Sequence, residues 1–276
     1  MNYIEVHWSL AEAAVERQLL LVLLEETQAE SVVEEADGLK AYFPADAFSD
    51  QDWESLYLGA SLPSYAVREV EQQNWNEEWE KNFEPIEVEN SLYLRASFHP
   101  SRPDDFDREI IITPKMSFGT GHHSTTYLML TWMLDEPVPP APMLDMGAGT
   151  AVLAILAAQQ GASEVWAVDY DEWAYENAVE NCALNSVSEQ VEVRLGGVEA
   201  IQDIKCQTLY ANINRNILLD QLPTYARILN EGGALYMSGF YTVDLEVLKS
   251  EASHLGLHFE GWRDRQNWVA AKWTKK

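Results

Sequence analysis

The chain has 276 residues, 47% of them hydrophobic and 11% aromatic, enough to bury a core in two domains or one large one, and its formal charge is −27. So acidic a chain is unsuited to a phosphate backbone, where affinity comes from Lys and Arg displacing counterions, and it suits a basic partner. No run of eighteen apolar residues marks a membrane span, the start MNYIEVHWSL lacks the features of a signal peptide, and Cys182 and Cys206 are too few for a thiolate metal site; the expectation is a cytoplasmic, monomeric protein with free buried thiols.

The charge is uneven, since residues 1–90 hold 21 of the 45 acidic side chains but only 4 of the 18 basic ones. Within that stretch YIEVHWSL alternates as a strand, and AEAAVERQLLLVLLEETQ follows as a helix capped by Ser9. SVVEEADGLKAYFPADAF reads as a hairpin turning at Asp37-Gly38, DQDWESLYLGASL as a second helix and SYAVREVEQQ as a further strand. The order β-α-β-β-α-β is the ferredoxin-like split arrangement and fills residues 1–73 with a small α/β domain. Trp75, Trp79 and Phe83 recur every four residues and predict a linker helix over 74–85, its aromatic stripe packed on a neighbour and its end set by Pro85.

From Ile86 to Ile112 strand-like runs dominate, interrupted by the Pro- and Asp-rich SFHPSRPDDFD. From Thr113 onward apolar strands alternate with helices, the signature of a doubly wound parallel sheet, so the second domain is residues 86–276. Its centre is PMLDMGAGTAVLAILAAQQGASEVWAVDYDEWAYENAVENCALN: strand Met143 to Met146, turn Gly147 to Ala151, helix Val152 to Gln160, then a strand from Val165 ending in Asp169. Gly147 and Gly149 let the backbone pass close to a ligand, and Asp169, 22 positions after Gly147, is placed to hydrogen-bond ribose hydroxyls.

The same fingerprint serves NAD enzymes, and a glycine turn without any ligand is the plainer alternative. Two details favour S-adenosylmethionine. The helix start Val152-Leu153 lacks the third glycine of dinucleotide sites, and Asp145 would repel a pyrophosphate but tolerate an ammonium. Upstream, Phe118-Gly119-Thr120-Gly121 is a flexible loop, and Ser124-Thr125-Thr126 opens a helix whose hydroxyls either cap it or cover the cofactor, with Thr126 bonding it. His122 and His123 are adjacent, point to different sides and lack a carboxylate at ligand spacing, so no metal is expected. Further on, Gln207 to Ala211 is the fourth strand of this domain, with Asn212 at its carboxyl end, where ligands bind in open α/β sheets; the turn Asn230 to Gly233 leads to the strand ALYMSGF.

These blocks together resemble the ribosomal protein L-eleven methyltransferase family (PrmA) over nearly the whole chain. NWNEEWEKNFEPI is similar to the family's Trp-rich linker, FGTGHHSTT to its FGTGTHPTT, LDMGAGTAVLAI to its LDxGCGSGILAI, ANI to its ANIL and GGALYMSG to its GGxLxxSG. The resemblance implies a doubly wound class I methyltransferase (Rossmann-like) domain behind a small ferredoxin-like domain that recognises the ribosomal protein. It also implies cofactor contacts from Thr126, Gly147, Gly149, Asp169 and Asn212, a covering loop from Phe118, Gly119 and Thr120, and methylation of an N-terminal α-amine and lysines. The chain departs from the family pattern at Ala148, Ala151, His122 and Ser124; Ala151 stands where the family turn ends in glycine.

The chemistry expected is an in-line displacement in which alignment and desolvation supply most of the acceleration. Asn212 is the expected catalytic residue, orienting the amine by accepting its N–H, and no side chain stands out as a general base. Two other readings use the same residues: a methyltransferase of this fold acting on another protein or a small-molecule amine, and a non-enzymatic ribosome-binding module in which Ala151 has cost the cofactor its place.

Overall fold

The computed structural model describes residues 3–10, 15–25, 27, 29, 31–35, 37–45, 48, 64–70, 83–115 and 118–276. The chain divides into two compact units, Met1–Asn82 and Phe83–Lys276.

In the first unit β1 (Tyr3–Ser9), α1 (Val15–Glu25), β2 (Ser31–Glu35), β3 (Gly38–Pro44) and β4 (Tyr65–Val70) follow in chain order. The strands form a sheet of order β2-β3-β1-β4 with every described pairing antiparallel. Period-two alternation puts Val6 and Trp8 of β1 and Leu39, Ala41 and Phe43 of β3 on one face, against Leu20 and Leu24 of α1. A Cβ on Gly38 would stand 2.0 Å from the Trp8 carbonyl oxygen, so the Asp37-Gly38 turn closes only with glycine there. The first turn of the helix expected after Ser9, the second helix expected over 50–62 and residues 74–82 of the expected linker helix lie outside the described residues. Its last three residues, Phe83 to Pro85, are not helical.

The second unit opens with a three-stranded sheet, β5 (Ile86–Val88), β6 (Leu92–Arg95) and β7 (Arg108–Ile111). Then come α2 (Ser124–Asp135), β8 (Met143–Met146), α3 (Val152–Gln160), β9 (Val165–Asp169), α4 (Glu172–Leu184), β10 (Val191–Leu195), β11 (Cys206–Asn212), α5 (Arg215–Ile228), β12 (Leu229–Tyr241), α6 (Leu245–His254), β13 (Leu257–Arg265) and β14 (Trp268–Lys275). They build a seven-stranded sheet of order β10-β9-β8-β11-β12-β14-β13, parallel from β10 to β12 and antiparallel beyond. Met143 faces the core packed by α2, α3 and α4, while Leu144 and Met146 face the core packed by α5 and α6, the alternation a strand imposes. The turn expected at Asn230 to Gly233 is absorbed into β12: pairing jumps from Cys206–Leu229 to Thr208–Ala234, with Gly232 at a φ of 74°.

α4 is a clamp as well as a layer. Asn177, Asn181 and the capping Asn185 lie four residues apart along it, and each hydrogen-bonds the end of β7 or the extended segment after it. Asn185 accepts from Ile111 N (2.9 Å) and donates to Ile111 O (2.7 Å); Asn181 accepts from Thr113 N (2.8 Å), and Asn177 donates to Thr113 O (3.2 Å). Asn181 also donates to Thr150 O at 3.0 Å, so one buried amide ties that segment to the glycine turn.

In the turn itself Gly147, Gly149 and Ala151 all take positive φ, at 71°, 56° and 62°. Ala151 is the left-handed residue before α3, and its methyl is wholly buried in the core with α2 and α3. Beneath the turn, the Asp145 carboxylate is buried and accepts from Ala154 N at 3.3 Å. Burial pushes that carboxyl up to about 7; the Ala154 bond opposes the rise and the charge of Asp169 adds to it.

Alanine at a left-handed position costs roughly 1–2 kcal/mol, while glycine costs backbone entropy and gives up the buried methyl, so Ala151→Gly is expected to stay within about 1 kcal/mol of wild type. Ala151→Val puts a β-branched side chain at positive φ in a full core and is expected to lose at least about 2 kcal/mol in urea unfolding. For Asp145, the folded chain holds a proton that the unfolded chain has released between about pH 4 and pH 7. Its contribution therefore falls as pH rises through that window, by at most about 1.4 kcal/mol per pH unit, and levels off above it. Asp145→Asn removes this slope, so its stability relative to wild type is expected to grow from pH 4 to pH 7 in denaturation series at fixed ionic strength.

Candidate functional site

The strand order reverses between β8 and β11, and there the carboxyl ends of β8, β9, β11 and β12 open into a cavity of about 1080 Å³. Gly147 and Gly149 come from the turn, Asp169 to Asp171 from the end of β9, Asn212 and Ile213 from the end of β11, and Gly239 from β12. The strand ends fit tightly: a Cβ on Gly147 would lie 2.2 Å from Ile213 Cγ2, and one on Gly239 2.1 Å from Ile213 O. These glycines serve the packing of chain on chain at the cavity floor.

Two polar side chains define that floor. Asp169 accepts from Gly149 N (2.8 Å) and Asp171 N (3.0 Å), one bond per carboxylate oxygen. Each oxygen keeps acceptor capacity toward the cavity. Asn212 donates from Nδ2 to Thr126 Oγ1 at 3.3 Å, while its Oδ1 is buried and without a partner. A buried carbonyl left unmatched in the protein awaits an N–H from a ligand.

The loop 118–121 is latched to the glycine turn. Thr150 N donates to Phe118 O at 2.9 Å and Thr150 Oγ1 to Gly119 O at 2.8 Å, and a Cβ on Gly149 would lie 2.2 Å from Phe118 O. Phe118 lines the cavity, whereas Gly119 lies against Thr150 and Thr120 bonds His122. The cap of α2 is His123, whose Nδ1 accepts from Thr125 N; Ser124, Thr125 and Thr126 are themselves buried, and only Thr125 of the three lines the cavity. Burial lowers the His123 pKa, which keeps the ring neutral at pH 7. The ring packs on Phe118 and Trp268, with centroids 5.2 and 4.6 Å away, and Trp268 stands 4.0 Å from Tyr241.

Of the residues expected from sequence, Phe118, Gly147, Gly149, Asp169 and Asn212 meet at the cavity. Thr126 sits behind Asn212, and Gly119 and Thr120 sit behind Phe118, so these three shape the site through their neighbours. Asp145 does not face the cavity as expected, because the alternation of β8 turns it toward α3. Ala151 is likewise turned into the core and takes no space from a ligand. Sequence reasoning passed over His123 as a site residue and missed Trp268. The signal for Trp268 was weak: it follows a two-residue hairpin turn, Gln266-Asn267, with both φ positive (52° and 67°) and no glycine.

The floor of the cavity fits a cationic, hydroxyl-bearing cofactor: it offers the Asp169 carboxylate, an unmatched carbonyl and a further acidic side chain, Asp171, and the single lysine or arginine among the described lining residues, Lys115, is paired with Glu180.

The sequence profile of ribosomal protein L11 methyltransferase (PrmA) matches residues 8–276. The protein named ribosomal protein L11 methyltransferase in Porphyromonas gingivalis is 43% identical over 262 residues, covering 93% of this chain and 90% of that one. Its namesake in Phocaeicola vulgatus is 39% identical over 253 residues, covering 90% and 89%. A crystal structure of ribosomal protein L11 methylase from Lactobacillus delbrueckii subsp. bulgaricus superimposes with a TM-score of 0.63 at 26% identity, covering 70% of this chain and 100% of that one. The doubly wound sheet, the acceptor groups at its switch point and these matches agree, and the chain belongs to the PrmA family of S-adenosylmethionine-dependent protein methyltransferases.

Proposed function

We propose that this chain methylates amino groups of ribosomal protein L11, at its N-terminal α-amine and at lysines, and that it does so as a cytoplasmic monomer. The observation that carries the reading is the unmatched Oδ1 of Asn212, held at the carboxyl end of β11 among acidic and aromatic side chains. Both thiols, Cys182 and Cys206, are buried and free, as in a reducing compartment, and no helix among the described residues is long and apolar enough to cross a membrane. An overall charge of −27 suits a basic protein partner and disfavours direct binding to nucleic acid.

S-adenosylmethionine, when bound, supplies an electrophilic methyl group on a sulfonium. Asp169, facing the cavity with acceptor capacity to spare, is placed to hold hydroxyls, and Phe118, Trp268 and Ile213 exclude water. Asn212 Oδ1 accepts an N–H of the acceptor amine and aims its lone pair, while Thr126 fixes the amide through Nδ2. An α-amine with a reference pKa of about 7.7–8.0 is partly neutral at pH 7, whereas a lysine near 10.4 is almost wholly protonated and gives a proton to solvent before it reacts.

The test is transfer of label from S-adenosylmethionine to purified L11 by the full chain, read by scintillation and by mass spectrometry of the acceptor. Asn212→Ala is expected to lower kcat/KM by about 10- to 100-fold, the value of a hydrogen bond to a charged or reacting group. Asp169→Ala is expected to weaken cofactor binding by a similar factor in calorimetry. If wild type binds the cofactor but passes no label to L11, the substrate reading falls.

A further inference from the structure

The mouth of the cavity carries a feature that packing does not explain. Trp173, in the first turn of α4, is 76% exposed, and Glu176, one turn on, is exposed as well; both line the cavity. Residues three apart share a helical face, so the indole and the carboxylate point outward together. Leaving an indole in water forgoes the largest apolar burial any side chain offers. Glu176 also stands one turn from the exposed Glu172, a like-charge spacing that weakens a helix by a few tenths of a kcal/mol.

The other charges at the cavity are committed. Asp169 accepts two backbone N–H bonds, Asp171 caps α4 by accepting from Trp173 N (2.8 Å) and Ala174 N (3.1 Å), and Lys115 is paired with Glu180. Glu172 is placed to favour the helix dipole, but Glu176 in the second turn gains little from it. Among the described residues Glu176 has neither a hydrogen bond nor a basic partner. An unpaired carboxylate beside an exposed indole is the pair of groups that holds an ammonium, one by charge and the other by the negative face of its ring. The cavity, at about 1080 Å³, is slightly above the roughly 300–1,000 Å³ of small-molecule pockets, which leaves room for the end of an acceptor side chain beside a cofactor.

We propose that Trp173 and Glu176 form the acceptor lip of the site, holding a lysine-bearing segment of the protein substrate at the cavity mouth and thereby favouring cationic side chains over neutral ones. The proposal rests on the methyltransferase reading above and adds to it the surface that selects the acceptor. The lip supplies attraction on approach and registers the chain; the chemistry stays with Asn212 and the cavity floor.

Steady-state kinetics on the full chain, with L11 as acceptor and cofactor affinity measured separately by calorimetry, decides it. Trp173→Ala and Glu176→Gln are each expected to raise the acceptor KM by about fivefold or more, with kcat and cofactor Kd within twofold of wild type. Glu176→Lys is expected to exceed Glu176→Gln, and its effect to shrink in 0.5 M salt, because charge is screened there. Both side chains are exposed, so thermal unfolding of the variants should match wild type. A rise in cofactor Kd with acceptor KM unchanged would assign the pair to the cofactor and overturn the lip, as would unchanged KM in all three variants. Wild type that transfers no label to L11 overturns the function reading and the lip with it.

Discussion

Backbone groups of irregular segments need partners, and at the carboxyl end of this sheet side chains supply most of them. Gly149 N is held by Asp169, Thr150 O by Asn181, and Phe118 O and Gly119 O by Thr150. Four connections thus join the turn after β8, the end of β9, α4 and the loop before α2 into one network. The turn after β8 and the loop before α2 are not regular enough to fix themselves. The glycine turn has three positive φ values at alternate residues, and a backbone of that kind persists only where its surroundings determine it. Asp169 is the clearest case of economy: the carboxylate that faces a ligand also holds the loop that shapes the ligand's floor.

Much of this was legible in the sequence because it depends on local rules. Strand Met143 to Met146, helix Val152 to Gln160 and the acidic end of β9 fall where apolar runs, glycine placement and spacing put them. Asn212 was legible for a topological reason: the carboxyl ends of the parallel strands open on the same crevice. What was not legible depends on which side of an element faces what. Asp145 and Asp169 are equivalent on paper as acids at strand ends, yet β8 alternation buries Asp145 while Asp169 faces the cavity. Thr125 and Thr126 are likewise interchangeable until the helix has a fixed rotation. Alanine carries no mark of left-handed backbone, so the buried methyl of Ala151 was visible only in three dimensions. The stripe of asparagines on α4 carried no signal of its role, because its partner is an extended segment more than sixty residues earlier in the chain.

The electrostatics of the site follow from what is left over after structure has taken its share. Asp171 and Asp169 serve backbone donors, and Lys115 is neutralised at the rim. The buried group on the floor that is left without a partner is a neutral amide oxygen, that of Asn212, and the unpaired charge stands outside at Glu176. That division suits chemistry in which a cation is attracted to the mouth but must react as a neutral nucleophile, since a carboxylate in the place of Asn212 would stabilise the protonated amine that cannot react.

The contact between Asn185 and Ile111 has a consequence of another kind. One side-chain amide gives an N–H and takes an N–H from the same residue, the pair of bonds that a neighbouring antiparallel strand would make. The open side of β7, which would otherwise present unpaired backbone to any passing chain, is thereby occupied at its end by a helix. A single asparagine stands in for a strand there, and at that end the small sheet offers no free backbone pair for a further strand to join.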